Sequence, residues 1–153
     1  MEYRRAALQD IDELVAVRIE MRNECESPEG IDQTQFRENT YTYYRRHMAN
    51  DNYVSWVAVE NGRIISVSGI CFYEVPPTYA NLSGLVAYVM SVYTKPEYRR
   101  RGISQALFAE LLKEAKQKGC TEITLGASDM GRPMYEKFGF TSAKDAMKLR
   151  LGS

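Results

Sequence analysis

Val92-Tyr93-Thr94-Lys95-Pro96-Glu97-Tyr98-Arg99-Arg100-Arg101-Gly102-Ile103-Ser104 takes the chain out of a strand and directly into a helix. Upstream, Leu85 to Thr94 is rich in β-branched and aromatic residues and stops before Pro96, which cannot donate to a sheet ladder. Downstream, Ile103, Ala106, Leu107, Leu111 and Ala115 share one face of a predicted helix from about Gly102 to Lys118, with Gly119 as its stop. The first N–H groups of a helix lack partners, and the macrodipole places about half a positive charge there. A pyrophosphate can be held at such a turn largely by main chain. Gly102 permits close backbone approach, and the three arginines add charge. The same residues also read as a solvated basic turn before an ordinary helix start. A Walker-type loop is excluded, because no Gly-Lys-Ser/Thr follows a glycine-rich run. A dinucleotide fingerprint is excluded as well, since one glycine stands where three are needed.

Working outward, Tyr53 to Val59 and Ile64 to Tyr73 are strand-like and joined through Asn61-Gly62, a strong hairpin signal. Asp10 with Glu13 suggests a capping box opening a helix to about Cys25, carried by Ile11, Leu14, Val15 and Met21. Ser27-Pro28 and Gly30 mark a loop, and Asp32 caps a second helix reaching about Met48. Glu122 to Leu125 reads as a short strand, Arg132 to Phe138 as a short helix, and Lys144 to Leu151 as a final strand. No repeat, linker or low-complexity tract interrupts the chain. The expected fold class is α/β, a mixed, mostly antiparallel sheet flanked by helices in one domain over residues 1–153.

At 153 residues, with 44% hydrophobic and 26% charged residues, the chain has ordinary globular composition. Twenty basic and twenty acidic side chains cancel to zero net charge, which removes any global electrostatic case for nucleic acid. Cys25, Cys71 and Cys120 are widely spaced and His47 is alone, so neither a disulfide framework nor a zinc site is readable. The start of the chain has no apolar leader, and the longest nearly apolar run, Leu82 to Tyr93, is too short for a bilayer. The expectation is a soluble cytoplasmic protein without a metal.

Two motifs together resemble the GNAT superfamily of acyl-CoA N-acyltransferases. Arg99, Gly102 and Ser104 fall on that family's Arg/Gln-x-x-Gly-x-Gly/Ala turn after a strand, with Ser104 departing from the usual Gly or Ala. Gly131-Arg132-Pro133-Met134-Tyr135-Glu136-Lys137-Phe138-Gly139-Phe140 resembles the closing Tyr-Glu-Lys-x-Gly-Phe segment, at the family's usual separation. The resemblance covers about Val86 to Phe140 well and the N-terminal part by layout alone.

What the resemblance implies is an enzyme moving an acetyl group from acetyl-CoA to a primary amine by direct attack in a ternary complex. The strand through Val92, Tyr93 and Thr94 would splay from its neighbour and bind pantetheine through backbone. Arg99, Arg100, Arg101, Gly102, Ile103 and Ser104 would cradle the pyrophosphate, and Ser128 is assigned to the same cofactor set. A backbone N–H near Val92 would polarise the thioester carbonyl. Tyr135 would protonate the departing CoA thiolate, the alternative being that it packs on the pantetheine arm. Glu74, at a strand end, is the expected base for the acceptor ammonium, with a solvated carboxylate and ordered water as competing readings. Cys71 and Cys120 read as small core residues in strands, which argues against an acyl-cysteine route.

The acceptor pocket would be walled by the first two helices and the loop Pro76 to Asn81. Glu20, Glu24, Glu26, Glu29 and Asp32, with Tyr41, Tyr43, Tyr44 and Tyr79, suggest a pocket for a cationic amine, small molecule or peptide. They read equally as a solvated acidic loop with core tyrosines. A non-catalytic acyl-CoA sensor of the same fold is the alternative function, a basic-turn nucleic-acid binder a more distant one, and a homodimer is left open.

Overall fold

The computed structural model describes residues 1–152. Its elements in chain order are β1 Glu2–Arg5, α1 Ile11–Cys25, α2 Gln33–Ala49, β2 Tyr53–Glu60, β3 Arg63–Glu74, β4 Leu85–Thr94, α3 Ile103–Gln117, β5 Ile123–Leu125 and α4 Arg132–Lys137. One sheet runs β1-β2-β3-β4-β5, antiparallel throughout except for the parallel β4–β5 pair. This is the mixed α/β class expected from the strand and helix signals. Asn61 and Gly62 both adopt positive φ, 52° and 75°, as a two-residue hairpin with native strand twist requires.

Two apolar layers hold the sheet. On one face α1 and α2 bury Leu14, Val15, Val17 and Tyr44 against Val57, Val67 and Tyr93. On the other, α3 buries Phe108 and Leu111 completely, packed with Ile70, Ala87 and Tyr135. Each such side chain contributes about 1.5–3 kcal/mol on leaving water, so the two layers dominate the fold's stability. Trp56 of β2 marks the α3 seam: its indole Nε1 donates to Glu114 Oε1 at 3.1 Å, and Arg5 Nε reaches the same oxygen at 3.3 Å.

Four points need correction. Glu2–Arg5, which carried no predicted element, is a strand paired with Val59 to Trp56. Asp10 does not open a capping box with Glu13: its carboxylate accepts from Ala7 N at 2.7 Å and from Arg4 at 2.7 and 3.0 Å, bracing the turn before α1. Glu13 instead reaches β3, accepting from Ile64 N at 2.8 Å. Lys144 to Leu151 forms no strand; Met147, Leu149 and Leu151 alternate as expected but stand 98%, 82% and 88% exposed, because no neighbouring strand takes up their main chain. Cys120 lies in the connection after α3, outside any strand. Asp32 does cap α2, accepting from Gln35 N at 3.0 Å.

Candidate functional site

The centre of the sheet is where regular pairing fails. Val67 pairs with Tyr93 and Gly69 with Met90, so Ser68 alone opposes both Ser91 and Val92. This is a β-bulge, and Ser91 carries it with φ of 59°, a left-handed conformation that costs a non-glycine residue about 1 kcal/mol or more. Strain of this kind persists where the surroundings over-determine it. Here Arg18 of α1 donates to Ser91 Oγ at 2.6 Å, and the Tyr53 ring crosses under the bulge. Gly69 makes that crossing possible, since a Cβ there would overlap the Tyr53 hydroxyl. Behind the bulge the Ser68 hydroxyl is buried with no hydrogen-bond partner among the described residues.

β5 pairs with β4 only at Ala87, Tyr88 and Val89. Past Leu125 the two strands part, while β4 continues to Thr94. The result is a cleft of about 310 Å³ bounded by β4 from Tyr88 to Tyr93, by Leu125, Gly126 and Ser128, and by Tyr135, Arg99 and α1. Along this gap β4 has no strand partner, so its outward N–H and C=O groups are open to an amide-bearing ligand chain. Lys95 N bonds Ile65 O on the β3 side, and strand alternation turns the Thr94 main chain to the other side, where its carbonyl accepts from Arg99 Nε at 2.8 Å and its N–H is left for a ligand. The side chains of Val92 and Tyr93 are engaged in packing, leaving their main chain for contact.

At the end of β4 the turn rises into α3. Arg100 and Gly102 take positive φ, 64° and 76°, and Gly102 caps the helix without a side-chain hydrogen bond. Ala106 N is the first to bond back, to Gly102 O, so the N–H groups of Ile103, Ser104 and Gln105 are left for an anion. A Cβ at Gly102 would meet nothing within 4 Å, so the approach to these donors is open. The Ile103 side chain is core, buried to 3%, and offers only its main chain.

The three arginines divide. Arg100 and Arg101 are exposed, Arg101 lying 5.3 Å over the Tyr98 ring. Arg99 is tied down: Nη2 meets both Glu24 oxygens at 2.8 and 2.9 Å, and Nε donates to Thr94 O at 2.8 Å. Its contacts brace the turn against α1. Arg99, and then the Tyr93 hydroxyl, hold the Glu24 carboxyl below its ordinary range.

Tyr135 stands on α4 with its ring 5.2 Å from Phe108 and 6.0 Å from Phe140. Tyr135 lines the cleft, and burial raises its pKa, so it carries its proton at neutral pH. Ser128 lines the same cleft, with its Oγ accepting from Gly131 N at 3.1 Å to shape the entry to α4. Burial also lifts the Cys71 and Cys120 thiols, which keeps both from being nucleophilic thiolates.

Glu74 is not brought to the cleft. It pairs with Leu85 at the far end of β4, six residues from Ser91, or about 20 Å at the strand rise, and it is exposed. A second cavity of about 310 Å³ opens on the other side of the bulge, between α1, α2 and β4, sharing Arg18, Met90 and Ser91 with the first. Tyr43, Tyr44 and Tyr53 wall it, whereas Tyr41 faces a separate depression and Tyr79 is fully exposed in the loop 76–81, which takes no part. Arg18, lining both cavities, is the site residue that sequence reasoning missed. Its signal was available: it holds the i+7 position after Ile11 and i+4 after Leu14, a charge inside an apolar stripe.

Among known proteins, residues 18–140 match the sequence profile described as the Acetyltransferase (GNAT) family. A predicted acetyltransferase from Clostridium acetobutylicum, solved with acetyl-CoA, is 35% identical, with 97% of this chain and 95% of that one covered and a TM-score of 0.89. An uncharacterized N-acetyltransferase of Escherichia coli K12 is 33% identical over 63 residues, and the thialysine N-epsilon-acetyltransferase of Bos taurus 28% over 68. These matches cover 41% and 44% of this chain but only 39% and 40% of those two relatives. With a profile spanning most of the chain and a full-length structural relative, the protein belongs to the GNAT acetyltransferase family.

Proposed function

We propose that this protein is an N-acetyltransferase that carries an acetyl group from acetyl-CoA to a primary amine by direct attack in a ternary complex. The observation that supports this best is the pair of cavities meeting at the bulge, one opening along the unpaired edge of β4 and the other walled by aromatic side chains. Such an arrangement lets two substrates approach one point from opposite sides, which is what direct transfer needs. Acetyl-CoA, present in the Clostridium relative, would lay its pantetheine along Val92 to Thr94. Its pyrophosphate would sit on the main chain of Arg100 to Ser104.

In the chemical step the acceptor ammonium first gives a proton to water, and the neutral amine nitrogen then attacks the thioester carbonyl, whose oxygen gathers negative charge near the Val92 N–H. The C–S bond then breaks, and the thiolate takes the Tyr135 proton. The phenolate is reprotonated from solvent, and the new amide nitrogen loses its extra proton to water, since Glu74 is remote from the cavity. Residues 1–153 act in this reading as one domain. The described thiols, all free, suit a reducing cytoplasm, and no helix among the described residues is long and apolar enough to cross a membrane. The test is free thiol release from acetyl-CoA over a panel of amines, amino acids and peptides. CoA binding without thiol release on any of them would favour a sensor instead.

A further inference from the structure

Building on that reading, we propose that the acceptor is an amine carrying a carboxylate a few bonds from its nitrogen, an amino acid with an apolar side chain, with Arg18 as the group that reads the carboxylate. The cavity beyond the bulge has a single charged lining residue, Arg18. Arg18 is half-buried, and its guanidinium forms no ion pair among the described residues and uses one donor on Ser91 Oγ at 2.6 Å. A guanidinium presents five N–H donors in a planar fork matched to a carboxylate. A partly desolvated cation without a counter-ion is satisfied most fully by an anion that arrives with the substrate.

The carboxylates expected to make this pocket acidic are engaged elsewhere or lie outside it. Glu24 holds Arg99, Glu26 pairs with Arg22, and Asp32 caps α2. Glu20 and Glu29 are exposed and do not line the cavity. A polyamine entering here would meet a like charge and no counter-charge, which selects against it.

Geometry narrows the class further. Arg18 bonds Ser91, the bulge residue shared by both cavities, so an anion on the guanidinium lies beside the point where the acetyl group must be delivered. Only an amine within a few bonds of the carboxylate can reach that point while the pair holds. The remaining walls, Phe36, Tyr43, Tyr44 and Met90, suit an apolar body. One arginine without a second cation matches a singly charged carboxylate better than a phosphate.

The experiment compares matched acceptors, L-phenylalanine and L-methionine against their amides and against phenethylamine, by thiol release at saturating acetyl-CoA. The acids should exceed the counterparts that lack a carboxylate at least tenfold in kcat/KM, on the scale of a charge-assisted hydrogen bond. Arg18→Gln should collapse that ratio toward unity, and Arg18→Lys should restore part of it. A ratio near one in the wild type, or one that Arg18→Gln leaves standing, overturns the assignment while acetyl transfer survives. Calorimetry of the N-acetyl amino acids on the CoA-bound protein reads the same site without turnover. Binding weakened about tenfold by Arg18→Gln, with no thiol release on any amine, would sustain the anion site and sink the transfer reading. Equal binding in both variants would overturn the anion site.

Discussion

Tyr135→Phe deletes one hydroxyl from a ring that is 8% exposed and packs against Phe108 and Phe140. The ring stays, and burial is the sole source of the raised Tyr135 pKa, so no bonded partner is orphaned and stability should change by less than about 1 kcal/mol. Rate is another matter. Ordinary values of about 10 for a phenol and about 8.5 for a thiol make proton transfer to the thiolate uphill by roughly 2 kcal/mol. Burial weakens this acid further, so the proton moves late, as the C–S bond breaks. The expected contribution is therefore at the lower end of the range for general acids, about 10² of a span of roughly 10² to 10⁴, and about tenfold if water substitutes. Thiol release measured across acceptor concentrations at saturating acetyl-CoA should show equal losses in kcat and kcat/KM, the mark of an interaction made in the transition state. CoA affinity by calorimetry should hold. Full turnover in the phenylalanine variant would refute the acid role and leave Tyr135 as a packing residue with solvent as proton source.

Gly102→Asp puts a carboxylate at the open N–H groups of α3; the protein itself has room for it, at about 1–2 kcal/mol for the positive φ, so the fold should persist while CoA affinity falls about 100-fold or more. Normal CoA binding by calorimetry would mean the pyrophosphate lies elsewhere. Ser68→Ala removes a buried hydroxyl with no partner among the described residues and should stabilise by about 1 kcal/mol, read as a rise of about 2–4 °C in melting temperature; a fall would show that the hydroxyl has a partner in solution. Burial pushes the Tyr43 hydroxyl up to about 12 and raises Tyr53 and Tyr135 as well. The folded chain therefore keeps protons that the unfolded chain loses above about pH 10, so these groups hold their full stabilisation below about 10 and lose it as pH rises through about 12. A melting temperature that stays level between those two values would contradict this.

Elements with strong local signals are legible in the sequence itself. Asn61-Gly62 dictates the hairpin, Asp32 the start of α2, and the apolar stripe from Ile103 to Ala115 the helix that follows the basic turn. What escapes depends on pairing, which no local window contains. Glu2–Arg5 has three charged residues in four and becomes a strand only because β2 offers an edge; Met147 to Leu151 has the right alternation but pairs with neither edge of the sheet. The site divides in the same way. The turn at Gly102 has its own strand-to-helix signal and Tyr135 is placed by resemblance to the family's closing motif, whereas the bulge at Ser91 is a register shift between two strands and is invisible in either alone. Glu74 is drawn toward the cleft by its strand end, and the pairing register instead sets it at the opposite end of β4 from the bulge.

The hydrogen bond between Trp56 and Glu114 gives the molecule a built-in optical reporter. Trp56 is the chain's single indole, seated in the seam between β2 and α3 and lining neither cavity at the bulge. Its emission colour follows the polarity of that seam, so separation of α3 from the sheet exposes it to water and shifts the spectrum to the red. Occupation of the cavities touches no atom of the indole. Unfolding can thus be followed optically in the unlabelled protein without interference from ligand titration, and a spectral shift on ligand addition would reveal that α3 moves with the site.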